Sequence, residues 1–237
     1  MTQGSGSRTA LRRIERTIDV GASGTVSALG VAPAEPRAQL VLGHGAGAGM
    51  RHPFMEAIAD RLAARDVATL RYQFPYMERG QSRTDPPSVA TATVRAATAE
   101  AAQLFPGVPL FAGGKSFGGR MTSTAASLSA LPDVRGLVFV GFPLHPAGRP
   151  GTDRAVHLDH VDVPMLFLQG TRDALCDLEH LGRVLKRLGK RATLHLWDGA
   201  DHSFHVLKRS GRTDEQVLDE LADAITGWCV TGAGLRR

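Results

Sequence analysis

A serine between two glycines is the feature of this chain that most directly indicates chemistry. Residues 114–118 read Gly-Lys-Ser-Phe-Gly, with Ser116 at the centre. This pattern places a serine on a tight turn between a strand and a helix, where larger side chains two positions away would collide with neighbouring backbone. The apolar run 109–112 before the turn and the helix-compatible segment after it favour a nucleophile over a serine that only caps a helix.

A serine hydroxyl attacks a carbonyl group only when a base removes its proton, and the base needs a carboxylate to orient it. Asp173 follows the apolar run 165–168, and His202 follows the strand-like run 192–196. Both residues therefore lie where predicted strands end. The sequence predicts a triad in which Ser116 is the nucleophile, Asp173 the acid and His202 the base.

Each of the two partners has an alternative close by in the chain. Asp177 is a second candidate acid, but it lies farther from the strand end and would cap the helix that begins at residue 178. His205 is a second candidate base that we expect to pack beside a helix, and His195 lies within a strand. We therefore prefer Asp173 as the acid and His202 as the base.

The reaction of such a serine also requires two N–H donors for the negative oxygen that forms on the attacked carbonyl group. The amide of Phe117, directly after the serine, is the first candidate. The loop His-Gly-Ala-Gly at residues 44–47 supplies the second, for which we choose the Ala46 amide, with Gly47 as the alternative. The glycines here fit neither a Walker A loop nor a clean GxGxxG pattern, so a phosphate-binding loop is not predicted.

Histidines also raise the question of a metal site. His157 and His160 are three residues apart, and His145 lies upstream of them. No HExxH pattern or cysteine pair accompanies these histidines, so we predict no metal and no other cofactor.

The segments around these residues predict an α/β protein. Strands are expected at residues 17–20, 25–29, 38–42, 67–72, 109–112, 135–140, 165–168 and 192–196, and helices at 53–65, 88–105 (capped by Ser88), from the serine turn to 131, 178–188 and 214–229. Alternating helices and continuous apolar strands predict a mostly parallel central sheet with helices on both faces. The segment between residues 141 and 165 is too short and broken for a cap domain. We expect one domain over residues 14–230, a flexible leader at 1–13 and a frayed tail at 231–237.

Composition and charge exclude several classes of protein. Of 237 residues, 43% are hydrophobic and 22% charged, which is typical of a globular protein. The net charge of +5 comes from five arginines in the leader and at the C-terminus, so nucleic-acid binding is not predicted. No apolar run is long enough to span a membrane, and we expect no secretory signal. Two cysteines far apart suit a reducing cytoplasm.

Several longer motifs together resemble a known family. They are GHGAGAGM with HPFM, RYQFPYME, GGKSFGGRM, GFPLHP, LQGTRDAL and GADHSF, which extend from about Leu40 to Phe204. The chain is similar to α/β-hydrolases of the dienelactone-hydrolase-like branch, and within it to small predicted hydrolases whose motif reads GGKSxGGRM. The resemblance implies an α/β-hydrolase fold and a serine hydrolase with Ser116, Asp173 and His202 as its triad. Dienelactone hydrolases use a cysteine nucleophile, whereas this chain has a serine.

These observations predict a hydrolase that cleaves a small carboxylic ester, thioester or lactone through an acyl-enzyme. Lys115, Tyr76 and Phe142 follow or end predicted strands and are candidates for contact with the substrate, since ligands bind at strand carboxyl ends in open α/β sheets. Without a cap domain the cleft should be shallow and favour short acyl groups. The alternative is a non-catalytic scaffold of the same fold. The expected partner is a small acyl substrate, with neither nucleic acid nor membrane.

Overall fold

The computed structural model describes residues 11–231 and is built on one eight-stranded sheet. Its strands are β1 (Arg12–Asp19), β2 (Thr25–Ala32), β3 (Ala38–Gly43), β4 (Val67–Tyr72), β5 (Leu110–Lys115), β6 (Val134–Val140), β7 (Met165–Gly170) and β8 (Ala192–Trp197). Their order across the sheet is β1-β2-β4-β3-β5-β6-β7-β8. β2 runs antiparallel to both of its neighbours, β1 and β4, and the six strands from β3 to β8 are parallel.

Helices cover both faces of the sheet. They are α1 (Pro53–Ala63), α2 (Pro75–Glu78), α3 (Pro87–Leu104), α4 (Phe117–Leu128), α5 (Leu178–Leu188) and α6 (Asp214–Thr231). One apolar core lies between the sheet and α3, α4 and α5, and a second lies between the sheet and α1 and α6. The alternation along β6 explains the two cores, because Phe139 faces the first and Val138 and Val140 face the second. The predicted α/β architecture is confirmed.

The carboxyl edge of the parallel strands is open. The segment between β6 and β7 contains a 3₁₀ helix, Asp153–His160, which packs beside α4. Within residues 11–231 no separate cap domain covers this edge, as the short and broken sequence of that segment predicted. The side chains that follow β3, β5, β7 and β8 can therefore meet in a solvent-accessible cleft.

The N-terminal boundary differs from the prediction. Arg12 and Arg13 were expected in the flexible leader, but they pair with Ala32 and Val31 as the first residues of β1. Most side chains of this edge strand are exposed and charged, so the segment lacks the apolar residues by which a strand is predicted. Charged side chains on an edge strand also prevent it from pairing with the edge of another sheet. The rest of the predicted leader, residues 1–10, lies outside the described residues.

Two helix ends also differ. Ser88 does not cap α3, because the helix begins one residue earlier, at Pro87, with Pro86 in the capping position. Proline suits a first helical position since its φ is already helical and it has no N–H to satisfy. The helix after the serine turn ends at Leu128 rather than near residue 131. Thr231 closes α6, and residues 232–237 of the predicted tail lie outside the described residues.

Candidate active site

Ser116 lies on a strained turn between β5 and α4. Its backbone has φ 50° and ψ −112°, a conformation that non-glycine residues adopt rarely. The two flanking glycines allow it: a Cβ atom on Gly114 or on Gly118 would lie 2.2 Å from the carbonyl oxygen of Gly43 in the neighbouring strand. The Gly-x-Ser-x-Gly spacing is therefore required by the packing of this turn against β3.

The three residues of the predicted triad are joined by hydrogen bonds. His202 Nε2 lies 2.8 Å from Ser116 Oγ, and His202 Nδ1 lies 2.7 Å from Asp173 Oδ2. With the imidazole proton on Nδ1, the histidine donates to the carboxylate and its Nε2 accepts from the serine hydroxyl. The residues come from the ends of three different strands and are 86 and 29 positions apart in sequence. This is the arrangement of a nucleophile, a base and an orienting acid.

Asp173 is held as an ionised group inside the protein. Its side chain is fully buried, and besides His202 its carboxylate accepts hydrogen bonds from Gln169 Nε2 (2.5 Å) and the Leu175 N–H (2.8 Å). Burial by itself raises the pKa of a carboxyl group. Here the hydrogen bonds and the nearby His202 outweigh burial, so the pKa of Asp173 lies below its ordinary value. The group is therefore available to orient the histidine at neutral pH.

The alternative residues lie outside this hydrogen-bond chain. Asp177 caps α5, as expected, by accepting from the His180 N–H at 2.9 Å. His205 contacts Asp214, the first residue of α6, at 2.8 Å. His195 lies on the edge strand β8 with an exposed side chain.

The loop after β3 lies against Ser116 and is fixed from behind. The buried His44 accepts from the Phe74 N–H at 3.1 Å through Nε2 and donates from Nδ1 to the Gly45 carbonyl oxygen. Burial lowers the pKa of His44 to about 4, although the hydrogen bond to Gly45 opposes the shift, so the ring is neutral. The Tyr76 hydroxyl donates to the Ala46 carbonyl oxygen and so fixes the peptide after Ala46.

The cleft above Ser116 has a volume of about 310 Å³. Its lining is mainly apolar or backbone and consists of Gly45, Ala46, Gly47, Ala48, His52, Phe54, Met55, Lys115, Ser116, His202 and Ser203. The start of α1, with Phe54 and Met55, is part of the site although the residue pattern did not predict it. The only signal for it in the sequence was the HPFM motif after the glycine-rich loop.

Two of the three candidates for substrate contact are placed elsewhere by the structure. Tyr76 is fully buried behind the glycine-rich loop, and Phe142 is 1% exposed and packs against Phe139 and Phe167 in the core. Their loops leave the sheet at the expected edge, but both side chains turn inward. Neither residue can therefore contact a substrate in the cleft. Lys115 does line the cleft, and its ammonium group donates to the His202 carbonyl oxygen at 2.6 Å.

A second serine–histidine pair lies on α4. Ser123 Oγ is 2.8 Å from His157 Nε2, and Ser123 itself is buried. Within residues 11–231 no carboxylate contacts His157, and Ser123 lies inside a helix rather than on a strained turn. The pair thus lacks both an orienting acid and access to a substrate.

Two further features concern metals and membranes. Among residues 11–231 there is no group of three or more histidine, cysteine, aspartate or glutamate side chains that could bind a metal ion. His145, one of the histidines considered above, instead accepts from the Asp177 N–H at 2.8 Å. The same part of the chain contains no helix that is both long and apolar enough to cross a membrane.

The fold and this site define a class: a parallel sheet without a cap domain, with a serine on the turn after β5 and its partners after β7 and β8. The chain belongs to the α/β hydrolase domain family, whose pattern it matches over residues 36–230.

Solved structures support the fold. A serine hydrolase homologue from Coxiella burnetii is 19% identical, with a TM-score of 0.72 over 90% of this chain and 97% of that chain. A serine hydrolase without a lid from Xanthomonas campestris is 20% identical, with a TM-score of 0.72 over 92% and 95%. A dienelactone hydrolase from Anabaena variabilis is 20% identical, with a TM-score of 0.70 over 92% and 96%. The predicted α/β-hydrolase fold without a cap domain is therefore confirmed.

Proposed function

We propose that the protein is a serine hydrolase that cleaves a small carboxylic ester, thioester or lactone through an acyl-enzyme. The single observation that carries the proposal is the continuous hydrogen-bond chain from Ser116 through His202 to the buried carboxylate of Asp173. A non-catalytic scaffold would have no use for a serine held at φ 50° in an open cleft, because such a conformation costs about 1–3 kcal/mol.

In the first half of the reaction, Ser116 Oγ forms a bond to the substrate carbonyl carbon while its proton passes to His202 Nε2. Asp173 stabilises the positive imidazolium and keeps the ring in place. The tetrahedral intermediate then collapses: the bond to the leaving oxygen or sulfur breaks, and the leaving group takes the proton from Nε2. In the second half, water attacks the acyl-enzyme, gives its proton to Nε2, and the serine regains that proton as the carboxylic acid departs.

The negative oxygen of the intermediate needs donors, and two backbone groups are available to supply them. The Phe117 N–H is at the first turn of α4, where helical N–H groups have no carbonyl partner within the helix. The Ala46 N–H is the proposed second donor. Ala46 lines the cleft, and its N–H belongs to the peptide whose other end, the Gly45 carbonyl oxygen, accepts from His44 Nδ1 at 2.8 Å. A donor fixed in advance is more effective than one that must reorient during the reaction.

The lining of the cleft supports a substrate with a short acyl group. Phe54, Met55 and two alanines provide apolar contact, while the absence of a cap domain within residues 11–231 leaves a long chain exposed to water. We also propose a reducing compartment, such as the cytoplasm, since Cys176 and Cys229 are both free and buried.

The test compares two serines of the same chain. Ser116→Ala should lower kcat for p-nitrophenyl butyrate by about 10³–10⁶ because the triad residues act as a unit. Ser123→Ala is the matched control: it removes a second serine that contacts a histidine, and kcat should stay within about threefold of wild type, since its hydroxyl has no access to substrate. A folded Ser116→Ala protein with near-native kcat would overturn the proposal.

A further inference from the structure

Lys115 occupies an unusual place beside the triad. It directly precedes Ser116, yet its side chain extends across the site to the loop that carries His202, where Nζ donates to the His202 carbonyl oxygen at 2.6 Å. The ammonium group also lies 5.7 Å from the centre of the Phe204 ring. One residue of the serine turn thus contacts the histidine loop at two points.

The histidine loop is held by hydrogen bonds of its own and by the packing of Phe204 against Phe54 and Trp197. Asp201 closes it, since its carboxylate accepts from the Ser203 and His205 N–H groups. Phe204 has φ 64° and is buried, so the loop adopts a conformation that its own sequence does not favour. Such a loop needs external contacts to hold its position, and the bond from Lys115 is one that leads directly to the nucleophile.

Gly141, at the end of β6, shows how closely the two side chains approach. A Cβ atom on Gly141 would lie 3.1 Å from Lys115 Nζ and 3.5 Å from His202 Nδ1. The ammonium group and the imidazole therefore share the space above one glycine.

We propose that Lys115 is a positioning residue, whose charge-assisted hydrogen bond to the His202 carbonyl oxygen holds the imidazole in line with Ser116 Oγ. This inference rests on the proposed serine-hydrolase function. It assigns Lys115 to the alignment of the base instead of to substrate contact. Because a misplacement of about 1 Å can cost about 10²-fold in rate, the loss of this bond should lower kcat by about 10–100-fold.

The charge of Lys115 gives the proposal a signature in the pH dependence. Burial lowers the pKa of Lys115 to about 8, while the carboxylates of Asp173 and Asp201 oppose the shift. The imidazole of His202 lies beside the ammonium group, next to Gly141. A hydrogen bond from a charged donor is about twice as strong as one from a neutral donor. As pH rises through about 8, the ammonium loses its proton, the bond weakens, and wild-type kcat should fall.

The experiment measures kcat and KM for p-nitrophenyl butyrate from pH 6 to 10 in wild type, Lys115→Met, Lys115→Gln and Lys186→Met. Lys186→Met is the matched control, because this lysine is exposed on α5. Circular dichroism and thermal melting establish that each variant is folded. We expect Lys115→Met to lose about 10–100-fold in kcat at pH 7 with KM within about threefold, and to lack the fall above pH 8. Lys115→Gln keeps a neutral donor and should be intermediate and equally independent of pH.

Several outcomes would overturn the proposal. If kcat of Lys115→Met matched wild type at every pH, Lys115 would have no positioning role. A tenfold higher KM with unchanged kcat would assign it to substrate binding, and failure of both variants to fold would assign it to structure. In all three cases wild type still hydrolyses the ester. A folded wild-type protein without hydrolysis would instead contradict the proposed function itself.

Discussion

The change of Asp173 to asparagine is the substitution that separates the geometry of the site from its chemistry. Three donors point at this carboxylate: His202 Nδ1 and Gln169 Nε2 at one oxygen, and the Leu175 N–H at the other. An asparagine amide has one oxygen to accept with and one NH₂ group that must donate. In Asp173→Asn, at least one of the three donors therefore faces another donor.

The arrangement predicts which contact fails. The Leu175 N–H can only donate, whereas the imidazole can change tautomer and the Gln169 amide can rotate. The new oxygen should therefore take the Leu175 N–H, and the new NH₂ group then faces His202 Nδ1, which must give up its proton and accept. The proton moves to Nε2, which then points a donor at Ser116 Oγ and has no lone pair to accept the serine proton. The histidine can therefore no longer act as a base. In a serine protease the same change costs about 10⁴ in kcat, which corresponds to about 5.5 kcal/mol. We expect a loss of this order here.

The stability of Asp173→Asn should change much less than its activity. Gln169 Oε1 is buried and has no hydrogen-bond partner among residues 11–231, so a rotated Gln169 amide can accept from the new NH₂ group. We therefore expect a loss of about 1–3 kcal/mol in the free energy of unfolding, measured by urea denaturation.

Asp177→Asn is the control for this substitution. Asparagine caps a helix about as well as aspartate, so α5 should keep its cap and kcat should stay within about threefold of wild type. Steady-state hydrolysis of p-nitrophenyl butyrate at pH 7.5 compares the two variants. A larger loss in Asp177→Asn than in Asp173→Asn would refute the assignment of the acid.

Two further predictions concern the serine turn and the cleft. Gly118→Ala would place a Cβ atom 2.2 Å from the Gly43 carbonyl oxygen, so we expect a loss of about 3 kcal/mol or more in the free energy of unfolding; an unchanged urea midpoint would contradict the packing described here. Each methylene group that the cleft buries contributes about 0.8 kcal/mol to binding, whereas a methylene that stays in water contributes nothing. Because the open cleft buries only short acyl groups, kcat/KM for p-nitrophenyl esters should level off as the acyl chain lengthens. A steady rise from acetyl to decanoyl would show a deep acyl tunnel and contradict this reading.

The sequence was most informative where a residue type is forced by backbone packing or by position at a strand end. Gly114 and Gly118 are needed because Gly43 leaves no room for a Cβ atom, so their spacing predicts the turn in sequence alone. Asp173 and His202 follow recognisable strands, and parallel strands bring their carboxyl ends to one edge. The hydrogen-bond chain between these residues has the geometry that their positions predicted.

The sequence was least informative about the direction of side chains in loops and about elements without apolar alternation. Tyr76 and Phe142 leave the sheet at the correct edge, but an aromatic residue in a loop packs inward or outward according to neighbours that are distant in sequence. Lys115 extends to the loop of His202, 87 residues away, which no local pattern encodes. Charged side chains concealed the start of β1, and Pro87 moved the start of α3 ahead of Ser88.

The central claim, that Ser116 is a nucleophile activated by His202, is tested most directly by covalent labelling. A fluorophosphonate reacts with a serine only when a base has activated it, and mass spectrometry of the digested protein locates the adduct. We expect one adduct per chain, on the peptide that contains Ser116, and none in Ser116→Ala. An unlabelled but folded wild-type protein, or an adduct on Ser123 or another serine, would contradict the claim.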